Sequence, residues 1–177
     1  MLKRCLKLLL LLTLVGLLPS IAQAQRTTGE KLTATLIGFE EVPSISTTGT
    51  GTFTMVIEPG DAAYTYTLTY SGLTGSVQQA HTHIAQKGVN GGIMVFYCTN
   101  LGNGPAGTQA CPASGTITGR VTAADVIGGA AAQGVSPGEF AEVLRAIRAG
   151  FAYTNVHSNL FPGGEIRGQI GPEPPKQ

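Results

Sequence analysis

The sequence predicts an all-β protein, an antiparallel, Greek-key-like β-sandwich with one inserted helix. Two observations predict this fold class. Beyond residue 24 the chain is dense in Gly, Thr, Val and Tyr, and short runs of alternating apolar and polar residues follow one another. Gly, Pro, Asn and Asp separate these runs, as is typical of short strands joined by turns. The chain has 177 residues, which is enough for about one domain with its own core.

The N-terminus has the form of a signal peptide. The first seven residues carry three positive charges, residues 8–18 are apolar, and residues 22–24 read Ala-Gln-Ala, a small-x-small cleavage site. The apolar run is about half as long as the roughly 20 residues that a membrane-spanning helix needs, which argues against a membrane anchor. We therefore expect residues 1–24 to be removed and the mature protein to be secreted or periplasmic, without membrane contact.

The charge of the chain excludes some partners. Its formal net charge is +1, and three of its positive charges lie in the predicted signal peptide. No block of Lys and Arg occurs in the remainder, which argues against nucleic acid or an anionic membrane as the main partner.

Eight strands and one hairpin are predicted in the domain. Alternation is clearest in residues 51–58 and 64–71, and Pro59, Gly60 and Asp61 between them indicate a turn, so these two runs should form a hairpin. The other strands are expected at residues 31–38, 77–86, 93–98, 116–121, 151–158 and 165–170.

A single helix is expected before the last two strands. Ser136 is a suitable N-cap, Pro137 suits the first helical position, Glu139 completes a capping box and Gly150 suits the end. Apolar residues at helical spacing predict that one side packs on the sheets: Phe140, Val143, Leu144 and Ile147. We assign the domain to residues 25–171 and expect the Pro-rich tail, residues 172–177, to form no ladder and to be disordered.

Cys98 and Cys111 are the two cysteines that remain after processing. An even pair in an exported chain is most simply a disulfide. A metal or redox pair would more often show CxxC spacing.

The histidines are the candidate metal ligands. His81 and His83 lie two apart on a predicted strand and so share a face, whereas Ala80, Thr82 and Ile84 take the opposite face, which we expect to be the buried one. Such a pair can bind Zn or Cu, although neighbouring surface histidines are also common.

His157 ends another predicted strand. If the fold brings it beside His81 and His83, three imidazoles form a metal site with an open position. The alternative is that each histidine is hydrogen-bonded to loop backbone at the rim of the sandwich. The sequence leaves both alternatives open.

Glu165 and Arg167 also lie two apart, so they are expected to share a face as a partly exposed, structural pair. Glu165 could alternatively be a second-shell partner of a histidine. No catalytic residue is assigned, because no Ser, His and Asp order is persuasive and the sequence has no P-loop and no Gly-rich loop placed between a strand and a helix.

Several motifs resemble the CHRD domain, a module named from chordin and found in many secreted bacterial proteins. They are the EVP loop, LTYSGLTG, AHTHI, and NVH followed by FPGGEIRGQ, in the order of the family and within residues 31–171. The resemblance implies a secreted β domain whose biochemical role is poorly settled.

A remoter similarity is to Cu/Zn superoxide dismutases, in the order of HxH, a disulfide-tethered loop, a later VH and a closing GQIG. That resemblance implies that His81, His83 and His157 are copper ligands. The chain departs from the family because the bridging histidine, the zinc-binding aspartate and a clear match to the substrate-guiding arginine are missing. Shared strand order does not establish shared activity.

The leading hypothesis is therefore a secreted binding module that holds one Cu or Zn ion on three histidines. The alternatives are a copper-dependent redox enzyme of the superoxide dismutase type, and a metal-free adhesive or matrix domain with an extracellular protein partner and no cofactor.

Overall fold

The computed structural model describes residues 28–173. The predicted signal peptide and the last four residues of the predicted tail lie outside the described residues. Within the described chain, antiparallel strands make up most of the regular structure, and α-helix is limited to one segment. The prediction of an all-β fold with one inserted helix is confirmed.

The described residues form nine strands and one α-helix. In chain order they are β1 (Glu30–Ile37), β2 (Thr50–Ile57), β3 (Ala63–Ser71), β4 (Val77–Ile84), β5 (Ile93–Thr99), β6 (Gly115–Thr122), α1 (Phe140–Arg148), β7 (Ala152–Ser158), β8 (Ile166–Gln169) and β9 (Gly171–Pro172). Each of the eight predicted strands is present, with ends that differ by up to two residues.

The strand order combines a meander with crossovers. β1, β2 and β3 pair in succession, whereas β6 joins β3 and β7 inserts between β4 and β8, giving the order β5-β4-β7-β8-β1-β2-β3-β6. The end strands β5 and β6 come close to each other, so the sheet curves into a nearly closed sandwich around one apolar core. The insertion of β7 beside β4 is the feature that positions the site.

The predicted hairpin is formed by β2 and β3, with Phe53 opposite Leu68. Gly60 and Asp61 both adopt positive φ, 88° and 58°, in the turn that joins the strands. Glycine and aspartate tolerate this backbone conformation better than most residues. The alternating apolar residues of both strands are buried, as their spacing predicts.

A chain of buried hydroxyl groups joins four strands on the core side of β4. Tyr97 Oη lies 3.1 Å from Tyr64 Oη and 2.6 Å from Thr82 Oγ1, and Thr82 Oγ1 lies 2.9 Å from Thr154 Oγ1. All four residues are buried. Because an unpaired hydroxyl in the core is costly, these contacts fix the register of β4 against β5 and β7.

The helix starts later than predicted. α1 begins at Phe140, because Gly138 has a positive φ of 82° and so cannot continue a helix from Pro137. Half of the predicted capping box is present, since the backbone N–H of Ser136 donates to Glu139 Oε2 over 2.7 Å. The predicted apolar side of the helix is buried.

The start of the tail differs from the prediction. Gly171 and Pro172 pair with Thr33 and Leu32 of β1, and Lys31 forms an ion pair of 2.8 Å with Glu173. The expectation that no ladder forms here is wrong, because Pro172 sits at a strand edge where it needs to donate no ladder bond.

The predicted disulfide joins Cys98 to Cys111, with Cα atoms 5.0 Å apart. It closes the Gly-rich loop that follows β5. The side chain of Asn100 further orders this loop by donating to the carbonyls of Val77 and Cys111.

We expect replacement of both cysteines by alanine to lower the free energy of unfolding by about 3 kcal/mol, because the open loop gives the unfolded chain more conformations. Urea unfolding followed by circular dichroism measures this change. Wild-type protein reduced with dithiothreitol should unfold at the same urea concentration as the double variant. Equal midpoints for oxidised and reduced protein would show that the bond adds no stability.

Candidate metal centre

The pairing of β4 with β7 gathers the three histidines. Gln79 pairs with His157, His81 with Asn155 and His83 with Tyr153. Because side chains alternate between the faces of a sheet, this register places the two histidines of β4 and His157 of β7 on one face. The convergence of the three imidazoles, which the sequence left open, is present.

The face that carries the histidines is buried as well. Ala80 and Thr82 on the opposite face are fully buried, as expected, but His81 is 0 % exposed, His83 6 % and His157 5 %. Loops cover the histidine face, so the expectation that only one side of β4 is buried is wrong.

The ring nitrogens lie close to one another. His81 Nδ1 is 3.2 Å from His157 Nε2, and one nitrogen from each of the three rings can be chosen so that all lie within 4.8 Å of one another. Nitrogens that bind one ion at 2.0 to 2.1 Å can be at most about 4.2 Å apart. The closest pair meets this limit, and the widest can meet it after a ring moves by roughly half an ångström.

Backbone carbonyls fix the tautomers of two rings. His83 Nδ1 lies 2.9 Å from the carbonyl of Gly91, and His157 Nδ1 lies 2.9 Å from the carbonyl of Pro162. A carbonyl only accepts, so each Nδ1 carries the proton and each Nε2 keeps its lone pair. Carbonyls are common outer partners of metal-binding histidines, because they orient the ring and favour the metal-binding tautomer.

Two buried ring nitrogens lack a hydrogen-bond partner. Nε2 of His81 and Nε2 of His83 are both shielded from solvent and unpaired. A buried nitrogen left unpaired costs roughly 1 to 3 kcal/mol. Imidazole suits both Zn and Cu, so the donor set fits one such ion.

The environment keeps the rings neutral. Burial, with smaller effects from His157 and His83, lowers the pKa of His81 to about 2. Burial lowers the pKa of His83 to about 4 and also lowers that of His157. A neutral imidazole is the form that binds a metal, so near pH 7 no proton has to leave before binding.

The side chains of His83, Tyr153 and Arg167 form a stack. The ring of Tyr153 lies parallel to that of His83, with centroids 4.7 Å apart, and the guanidinium carbon of Arg167 lies 3.4 Å from the Tyr153 centroid. Arg167 also donates to Asn90 Oδ1 and to the carbonyls of Gln86 and Val89. These contacts tie the loop after β4 to the face that carries the histidines.

Glu165 and Arg167 do not form the expected partly exposed pair. Both are buried, and Glu165 accepts hydrogen bonds from Thr47 Oγ1 and from the backbone N–H groups of Thr74 and Gly75. Glu165 therefore joins two loops and is not bonded to a histidine. Burial acts to raise its pKa, but hydrogen bonds, including one from Ser158, outweigh burial and lower it.

Glu41, in the loop after β1, is a buried carboxyl group near the histidines. It is 5 % exposed, and its Oε1 has no hydrogen-bond partner. Burial raises its pKa to about 7, against the opposing effects of Arg167 and the Asn155 side chain. Gly164 makes room for this carboxylate, because a Cβ there would overlap it.

Three residues of the site were not predicted from the sequence: Tyr153, Asn155 and Glu41. The period-two rule that grouped His81 with His83 also groups Tyr153, Asn155 and His157, and it could have identified the first two. No spacing rule could have identified Glu41, because it lies on a loop.

Comparison with known families agrees with this architecture. The sequence model described as CHRD domain matches residues 32–170. The chain belongs to the CHRD domain family. No curated protein and no solved structure matched the chain. Among the described residues of this CHRD domain, no helix is long and apolar enough to cross a membrane.

We expect Glu165→Gln to destabilise the domain by about 1 to 3 kcal/mol near pH 7, because a neutral amide oxygen replaces a charged acceptor of several hydrogen bonds. The folded protein lowers the pKa of Glu165, so its stabilising effect is present above the ordinary glutamate pKa of about 4.3 and is lost as the pH falls through the lowered value.

Urea unfolding of wild type and variant between pH 3 and pH 7 measures this dependence. The difference between them should shrink as the pH falls below about 4. Glu58→Gln is the control, because Glu58 is partly exposed and paired with Arg120 at the surface, and it should have a much smaller effect. A Glu165→Gln difference that grows on acidification would contradict this assignment.

Proposed function

We propose that this CHRD domain is a secreted binding module that holds one Cu or Zn ion on His81, His83 and His157. The observation that carries the proposal is the meeting of three buried imidazoles whose ring nitrogens lie within 4.8 Å of one another. The unpaired Nε2 of His83 supports it further, since a bound ion would satisfy a nitrogen that the fold leaves unsatisfied.

Two observations support an extracytoplasmic location for this binding module. The disulfide between Cys98 and Cys111 fits an oxidising compartment. The signal peptide predicted over residues 1–24 points the same way. In this proposal the cysteines hold the loop that follows β5 and do not bind the metal.

We expect the protein to take up one equivalent of Cu(II) or Zn(II), and His81→Ala or His157→Ala to weaken binding by at least about 100-fold, since even the loss of outer partners costs 10- to 100-fold. Isothermal titration calorimetry with each metal measures this. Thr67→Ala is the control, because Thr67 is exposed on β3, and it should bind as wild type does.

Two results would reject the metal site. One is wild-type protein that takes up neither ion, which would favour the metal-free adhesive or matrix domain. The other is uptake that is equally strong in the histidine variants. Circular dichroism of each variant shows whether it is folded.

The second candidate function is that of a copper-dependent redox enzyme. His83 and His157 keep 6 % and 5 % of their surface exposed whereas His81 is fully buried, so a small oxidant such as superoxide would approach the site from the side of His83 and His157. A copper ion would supply one-electron chemistry there. The residues of the chain would orient the ion and exclude larger molecules.

We expect the copper-loaded protein to accelerate superoxide decay if this second function holds, and His157→Ala to abolish the acceleration. Pulse radiolysis with excess chelator, which removes free copper, measures the rate. Decay no faster than with the metal-free protein would eliminate the redox function and leave the binding function intact.

A further inference from the structure

Asn155 is a buried amide at the centre of the histidine cluster. It is 1 % exposed and lies on β7 opposite His81, on the same face as His157. Its Oδ1 is 3.0 Å from His157 Nε2, the nitrogen that also faces His81 Nδ1 at 3.2 Å. The amide oxygen therefore points into the space between the imidazoles.

The contact between Asn155 and His157 brings two lone pairs together. His157 Nδ1 carries the ring proton, because it donates to the carbonyl of Pro162. A neutral imidazole has one N–H, so Nε2 presents a lone pair to the lone pairs of Asn155 Oδ1. Two acceptors 3.0 Å apart repel each other unless a cation or an N–H group lies beside both of them. In the metal-free protein the N–H of His81 Nδ1, 3.2 Å from Nε2, can lie there, and a bound ion would replace it.

The amide is oriented with its oxygen toward the histidines. Oδ1, and not Nδ2, is the atom that lies 3.0 Å from His157 Nε2. Glu41 supports this orientation, since the Asn155 side chain acts to lower the pKa of the Glu41 carboxyl, as an amide N–H does and an amide oxygen does not.

We propose that Asn155 Oδ1 is a fourth ligand of the ion held by His81, His83 and His157. The assignment rests on the proposed metal site and deepens it. Two ligand atoms 3.0 Å apart can both lie about 2.0 to 2.2 Å from one ion. An amide oxygen is a weak, neutral donor of a kind that some copper sites use beside their stronger ligands.

Two variants of the full chain test the role of Asn155. Asn155→Leu removes the oxygen at similar volume and should weaken Cu(II) binding by about 10-fold or more while stoichiometry stays at one. It should also change the Cu(II) electron paramagnetic resonance spectrum. Asn155→Asp places an anionic oxygen at the same position and should bind Cu(II) more tightly than wild type does.

Gln169→Leu is the matched control. Gln169 is an amide on the neighbouring strand β8, and it donates to the carbonyls of Ala85 and Gly150, away from the imidazoles. Its removal should leave the copper spectrum unchanged. This control separates loss of a ligand from loss of a hydrogen-bonded amide elsewhere on the sheet.

The outcomes separate the two proposals. An Asn155→Leu variant with wild-type copper affinity and spectrum would overturn the ligand assignment while the three-histidine site stands. Wild-type protein that binds no copper would overturn both. If Asn155→Leu does not fold, Asn155→Asp decides alone, and Cu(II) binding no tighter than that of wild type would reject the assignment.

Discussion

The register between β4 and β7 is the constraint on which the candidate site depends. It pairs Gln79 with His157 and His83 with Tyr153, and a slip of one residue would turn one strand's site residues to the opposite face. The hydroxyl chain through Thr82 and Thr154 opposes such a slip from the core side. Packing in the core and geometry in the site are therefore set by the same strand pair.

Burial of the histidines has two consequences that act together. It keeps the rings neutral, and it removes the water that would otherwise satisfy their nitrogens. Two carbonyls take up one nitrogen of His83 and of His157, and the remaining nitrogen of His83 has no hydrogen-bond partner. Such a site lowers the stability of the metal-free folded protein, and binding of an ion would raise it.

Local sequence patterns predict much of this fold, because strands and turns depend on short-range alternation and backbone preference. Phe53, Met55 and Ile57 identify their strand without knowledge of any partner. The predicted start of the helix was wrong, because the positive φ of Gly138 overrides the helix propensity of the residues around it. The strand at Gly171 and Pro172 was missed because its partner lies about 140 residues earlier, on β1.

Only part of the site was predictable, because the rest depends on contacts between residues far apart in the sequence. The shared face of His81 and His83 follows from their spacing. The position of His157 beside them depends on which strand pairs with β4. Asn155 and Tyr153 follow from the same spacing rule once β7 is known to carry the third histidine. Glu41 reaches the cluster from a loop, and the path of a loop follows from no periodicity.

Copper K-edge X-ray absorption on protein loaded with one equivalent of Cu(II) tests the central claim most directly. The multiple-scattering pattern of imidazole reports how many histidine rings bind the ion. We predict three rings with Cu–N distances of about 2.0 Å. A spectrum with one ring or none would contradict the account, because it would show that the two strands do not bring their histidines to a common ion.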